Sequence, residues 1–137
     1  MEVEPYLFFE GRCREALEFY KKTLGAELLM SMKFSESPDP QACAEVPGDS
    51  IMHCTIRIGN STIMASDGRS SGKAAFSGFA LSVTPATDEQ ARRMFADLSA
   101  GGQVQMPLAK TFFASTFGMC ADKFGVSWMV YVPNQPK

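Results

Sequence analysis

His53 is the single histidine of the chain, and it stands directly before Cys54 and four residues before Arg57. A thiol beside an imidazole suggests a nucleophile with its base. The flanking residues argue otherwise. Residues 51–58 alternate as a strand, in which successive side chains point to opposite faces, so Cys54 shares an apolar face with Ile56 and Ile58. His53 shares the polar face with Thr55 and Arg57, and no Cys–His dyad forms. Two readings remain for the polar face. In one, His53 acts as acid or base while Arg57 steadies an anion; in the other, His53 is a hydrogen-bonded structural residue.

Other chemistry-bearing segments narrow the field. Gly68 to Lys73 is superficially similar to a phosphate loop, but three residues rather than four separate its glycines, and Ala74 stands where a hydroxyl is needed. It reads as a solvated linker. No G-x-G-x-x-G lies between a strand and a helix, so nucleotide or S-adenosylmethionine binding of the doubly wound kind has no support. Cys13, Cys43, Cys54 and Cys120 form no C-x-x-C pair, which predicts buried free thiols in a reducing compartment.

The elements that position these residues follow from periodicity. A strand is predicted over 3–9 and a helix over 12–24, where Cys13, Ala16, Leu17, Tyr20 and Leu24 make one apolar stripe before Gly25. A strand over 27–34 leads to a Pro-rich loop over 35–50, of a length often used as a lid. Strands over 51–58 and 61–67 are joined at Gly59-Asn60, a hairpin dipeptide. After a linker over 68–73 the order begins again: a strand over 75–83, the capping box Thr87-x-x-Gln90, a helix over 88–100, and strands over 103–108, 111–121 and 126–132. The expected modules span about 1–67 and 74–137. Phe79, Leu81 and Val83 are expected to face the second helix, with Gly78, Ala80 and Ser82 on the opposite side.

Composition agrees with one packed domain. The 137 residues are 45% hydrophobic and 20% charged, and the net charge of -2 offers no field for nucleic acid or anionic lipid. The acidic start Met1-Glu2-Val3-Glu4-Pro5 does not resemble a secretory signal, and no apolar run is long enough to span a bilayer. A cytoplasmic location is expected, with no nucleic-acid or membrane partner.

Four segments taken together resemble one family. They are Tyr6-Leu7-Phe8-Phe9-Glu10-Gly11, Ala16-Leu17-Glu18-Phe19-Tyr20 with Leu24-Gly25-Ala26, Ile63-Met64-Ala65-Ser66-Asp67, and Asp122-Lys123-Phe124-Gly125-Val126-Ser127-Trp128-Met129. The sequence resembles the PhnB-like branch of the vicinal oxygen chelate superfamily, which also holds glyoxalase I, extradiol dioxygenases and bleomycin-resistance proteins. The resemblance implies an α+β fold of tandem βαβββ modules whose curved mixed sheets surround a cavity, in a homodimer. Members of the branch often carry a demethylubiquinone methyltransferase label, for which the sequence offers no cofactor site. In the superfamily's metal enzymes four inward residues hold the ion; those positions fall here at Pro5, Met64, Gly78 and Met129, and none ligates a hard or borderline divalent cation. No metal and no cofactor are expected.

Strand parity carried over from those positions selects a cavity lining. Leu7 and Phe9 share parity with Pro5, Ser66 with Met64, Phe76 with Gly78, and Tyr131 with Met129. His53, Thr55 and Arg57 add the polar groups, and His53 and Arg57 are the catalytic candidates. The expectation is a metal-free protein that binds a small molecule with an apolar body and an anionic or carbonyl end. The alternative is an enzyme of lyase, isomerase or dioxygenase type using His53 as acid or base.

Overall fold

The structure, a computed structural model, describes residues 1–39 and 46–134. Cys43 and the middle of the expected lid over 35–50 lie outside the described residues. The chain forms two compact units, Met1–Ala74 and Ala75–Lys137. The first contains β1 (Tyr6–Phe8), α1 (Cys13–Leu24), β2 (Glu27–Lys33), a single 3-10 turn (Phe34–Glu36), β3 (Ile51–Ile58) and β4 (Ser61–Ser66). The second contains β5 (Leu81–Val83), α2 (Asp88–Ser99), β6 (Gln103–Ala109), β7 (Ala114–Ala121) and β8 (Ser127–Pro133). Both units thus follow the order strand, helix, three strands, an α+β arrangement. Their sheets are also ordered alike, β1-β4-β3-β2 and β5-β8-β7-β6, with the first strand of each parallel to its neighbour and the other pairs antiparallel.

In the first unit the apolar stripe of α1 buries Cys13, Ala16, Leu17 and Tyr20, and Gly25 ends the helix in the left-handed conformation. The sheet face turned to it is apolar in every strand that the register aligns: Leu7 beside Ala65, Ala65 beside Cys54, and Ile63 beside Ile56. Each large side chain taken out of water here contributes about 1.5–3 kcal/mol. Leu7 and Phe9 belong to this packed face, each 2% exposed, and the Phe9 ring lies 6.1 Å from that of Tyr20. This corrects their expected place on the opposite face. Parallel pairing sets Tyr6 against Met64 and Phe8 against Ser66, so the side of β1 that shares Met64's face is the one bearing Tyr6 and Phe8. The hairpin at Gly59-Asn60 forms as expected, with Gly59 taking the positive φ that the tight loop requires.

In the second unit Leu81, Trp128 and Cys120 make one row of the face toward α2, and Val83, Val130 and Gly118 the next. Gly118 carries no side chain because Phe95 of α2 occupies the space: an added Cβ would stand 3.0 Å from the Phe95 ring and 2.7 Å from Leu108 Cδ2. The Asp122–Gly125 turn is held by its own first residue. Buried Asp122 accepts the amides of Phe124 and Val126 on one oxygen and the Trp128 indole N–H on the other. The first strand of this unit is shorter than expected. Residues 75–80 are not in a strand, Gly78 has φ +79° and Phe79 is 47% exposed, so Leu81 and Val83 share Trp128's face as expected while Phe79 does not. A left-handed Gly78 cannot continue the extended pairing.

The start of α2 is fastened twice. Thr87 accepts the Gln90 amide, and the Gln90 side chain reaches back one residue further than in a capping box, to the Ala86 amide. Asp88 then accepts the hydroxyls of Ser115 and Thr116 on β7, both at 2.6 Å. Those hydroxyl donors, Ser115 first, hold the Asp88 carboxyl below its ordinary range. A depressed folded pKa stabilises the fold above the unfolded value, about 3.9, and that contribution is lost as pH falls through the folded value. Acid unfolding followed by circular dichroism should therefore show a steeper loss below about pH 4 in the wild type than in Asp88→Asn. Equal pH dependence in the two proteins would show that the tether contributes nothing.

Candidate functional site

The face of the first sheet turned away from α1 gathers the polar groups. Adjacent strands build it in rows. Met32 lies beside His53; Met30, Thr55, Met64 and Tyr6 form the next row; Glu27, Arg57 and Thr62 form the last. Strand alternation places these side chains together, as the sequence implied for His53, Thr55, Arg57 and Met64. A bulge in β2 between Leu28 and Met30 shifts its register, so that Met30 rather than Leu29 meets Thr55.

Three of these residues form a hydrogen-bonded chain. The Tyr6 hydroxyl lies 2.9 Å from His53 Nδ1, and His53 Nε2 lies 3.3 Å from Thr55 Oγ1. Burial, followed by the nearby Cys54 thiol, raises the Tyr6 pKa above its ordinary value, so the phenol keeps its proton and is a donor. In the tautomer that satisfies both contacts, Tyr6 donates to Nδ1 and Nε2–H donates to Thr55. The rings of Tyr6 and His53 are 5.5 Å apart, and Phe8 lies 4.9 Å from Tyr6. An imidazole with one relayed hydrogen bond at each nitrogen is thus set among a phenylalanine and three thioethers.

The remaining residues of the expected set divide. Arg57 is at the edge of this face, but its guanidinium is paired with Glu27, and an exposed pair of that kind contributes little to stability. Ser66 is buried: its hydroxyl donates to the Ile51 carbonyl and accepts the Gly68 amide, so it secures the end of β4. Phe76, Gly78, Met129 and Tyr131 belong to the second unit. There Met129 lies between Ser82 and Met119, Tyr131 packs near Phe117 with ring centres 6.3 Å apart, and Phe76 and Gly78 precede β5 outside the sheet. Tyr6 was missing from the expected set. The signal that could have found it is the all-apolar pair Leu7 and Phe9, which fits a helix-facing side and leaves Tyr6, with its polar tip, opposite.

Two other features border the site without entering its chemistry. A groove of about 730 Å³ opens where α1 ends, lined by Leu24, Gly25, Glu27, Arg57, Gly59 and Asn60. Its charged side chains are already paired with each other. The Gly68 to Lys73 segment does bind an anion, but an internal one: the amides of Arg69 and Ser71 and the Ser71 hydroxyl all donate to the Glu10 carboxylate, at 3.3, 3.4 and 2.8 Å. A Cβ on Gly68 would stand 1.7 Å from Glu10 Oε2, so the segment is closed around its own side chain.

The residues that the resemblance assigned to metal positions, Pro5 and Met64 in the first unit and Gly78 and Met129 in the second, offer no oxygen, nitrogen or thiolate side-chain ligand. Among the described residues no three His, Cys, Asp or Glu side chains come together to hold a metal ion elsewhere. Likewise, among the described residues, no helix is long and apolar enough to cross a membrane.

Comparison with known proteins places the chain among relatives. Protein YjdN of Escherichia coli (strain K12) is 43% identical, over 98% of this chain and 97% of that protein. The crystal structure of protein PA1353 from Pseudomonas aeruginosa is 38% identical, with a TM-score of 0.84 over 98% of this chain and 99% of the other. The PhnB protein from Bacillus cereus is 26% identical, with a TM-score of 0.81 over 96% and 99% of the two chains. The fold alone is shared with a glyoxylase/bleomycin resistance protein/dioxygenase domain from Frankia sp. EAN1pec, 15% identical with a TM-score of 0.62 over 97% and 95%. Residues 1–131 match the family described as 3-demethylubiquinone-9 3-methyltransferase. A match of that extent, with a relative as close as 43% along nearly the whole length, means that the chain belongs to this family.

Proposed function

We propose that the protein is a small-molecule-binding member of its family. The ligand pairs an apolar, ring-bearing body with one hydrogen-bonding end and lies on the open face of the first sheet. The observation that carries this reading is the Tyr6–His53–Thr55 chain, a polar anchor among Met30, Met32, Met64 and Phe8. Thioethers adapt to irregular apolar bodies, and a few fixed polar groups orient what they hold. Methyl transfer, which the family description names, needs a place for a methyl donor. The residues of the first unit do not fit a nucleotide-like one: its β1-to-α1 turn has one glycine, packed against Ser70, and the neighbouring amides are taken by Glu10.

The probe for this reading is 1-naphthol, with naphthalene as the body lacking the polar end. Isothermal titration should show 1-naphthol binding the wild type more tightly, with Tyr6→Phe and His53→Ala reducing its affinity roughly 5–10-fold, the worth of one hydrogen bond, while naphthalene binding changes little. Equal losses for both probes, or no saturable binding of 1-naphthol, would overturn it.

A second reading, an enzyme with His53 as acid or base, is favoured by the 2.9 Å contact through which Tyr6 can return a proton to Nδ1. Incubation of the wild type and Tyr6→Phe with a metabolite extract, compared by mass spectrometry, should then reveal a compound consumed by the wild type alone. No difference from a buffer control would remove this reading.

The same proposal includes a homodimer in the cytoplasm. Leu28, Leu29 and Met30 are exposed on edge strand β2, the kind of surface a second copy would cover. Sedimentation equilibrium at micromolar concentration should give twice the 15.0 kDa of one chain, and a purely monomeric profile would exclude it.

A further inference from the structure

Behind the polar face, on the side that β3 turns to α1, two thiols meet. Cys13 is the first residue of α1 and Cys54 lies in the middle of β3, between His53 and Thr55 in sequence. Their sulfurs are 3.7 Å apart, hydrogen-bonded to each other, and both residues are fully buried and free. Cys120 offers a contrast in the other unit: burial raises its thiol to about 11, and it has no such partner thiol among the described residues.

Three features distinguish the pair from ordinary core cysteines. The first is approach: a disulfide needs an S–S distance of about 2.05 Å, so each sulfur has less than about 1 Å to travel, within the reach of side-chain rotation. The second is anchorage. The Cys13 amide donates to Asp67 at 2.8 Å, which fixes the helix end that carries the thiol. The third is asymmetry. The hydrogen bond shared with Cys13, then the Ala65 amide, favour the Cys54 thiolate and lower its pKa, whereas the same shared bond and burial push Cys13 up. One sulfur is poised to attack and the other to resolve.

We infer that Cys13 and Cys54 form a reversible modification site, closing to a disulfide when the chain meets hydrogen peroxide. The Cys54 thiolate attacks one peroxide oxygen; the O–O bond breaks, Cys54 becomes a sulfenic acid, and the departing hydroxide takes the proton released when Cys54 ionised, giving water. The Cys13 sulfur then attacks the sulfenic sulfur. Its proton leaves with the displaced hydroxyl as a second water, and the S–S bond forms. Two thiols are oxidised and one peroxide is reduced to two waters. A water-sized oxidant suits a pair that has no exposed surface.

The test uses the full wild-type chain. It is treated with hydrogen peroxide at neutral pH, alkylated in denaturant with N-ethylmaleimide, digested without reductant and mapped by mass spectrometry. The expected result is a Cys13–Cys54 cross-linked peptide pair, two hydrogens lighter than the sum of its parts, with alkylated thiols falling from four to two and returning to four after dithiothreitol. In Cys13→Ser, Cys54 should proceed instead to sulfinic acid, for want of its resolving thiol. Should that variant fail to fold, the wild-type map decides alone. Free, alkylated Cys13 and Cys54 after treatment, a cross-link to Cys43 or Cys120 instead, or sulfinic acid at Cys54 of the wild type would each overturn the assignment.

Discussion

Buried Asp67 is the group on which the first unit depends. Its two carboxylate oxygens accept the amide of Cys13, at the start of α1, and the amide of Ile51, at the start of β3, at 2.8 and 2.7 Å. Its own amide donates to the Ile51 carbonyl. One residue just beyond β4 therefore fixes a helix N-terminus and the beginning of the neighbouring strand. Arg12, at the N-cap of α1, provides no side-chain cap, and Asp67 supplies the missing acceptor from 54 positions away in sequence. The Asp67 carboxylate stands at the start of α1, where two backbone amides hold its oxygens. With β3 and β4 held at that end, the register that aligns Tyr6, Met64, Thr55 and Met30 has no freedom to slip.

The second unit solves the same problem with different chemistry. Its helix begins at a residue with its own cap, Thr87, so no distant carboxylate is needed there; instead Asp88 reaches out from α2 to hydroxyls on β7. The buried acid of this unit, Asp122, serves a turn and the Trp128 indole. Two modules with the same strand order thus share backbone topology without sharing the polar contacts that secure it. That explains why the duplication is visible as a pattern of elements while the residues barely correspond.

Legibility followed the range of the interactions. Both helices, the Gly59-Asn60 hairpin and the Asp122–Gly125 turn were readable because each is dictated by residues within about one or two turns of chain. The division of β3 into a thiol-bearing apolar face and a face with His53, Thr55 and Arg57 was readable because alternation is strictly local. The orientation of β1 was not. Three residues are too few for alternation to declare itself, and the outcome depends on parallel pairing with β4, some 58 residues away, which turns Leu7 and Phe9 to the helix and Tyr6 to His53. For the same reason the strand before α2 was drawn too long: its apolar composition continues through Phe79, and only the left-handed backbone at Gly78 stops it.

The polar character of the first unit's second face comes from three neighbouring side chains. It lies in the row of Met64 and the row beside it, in a hydrogen-bonded chain from phenol to imidazole to hydroxyl. Arg57, at the edge of that face, is paired with Glu27. In the proposed reading this hydrogen-bonded relay orients a ligand by hydrogen-bond geometry while the thioethers and aromatic rings fit its shape. On that reading, His53 acts on a ligand through the hydrogen bonds at its two nitrogens.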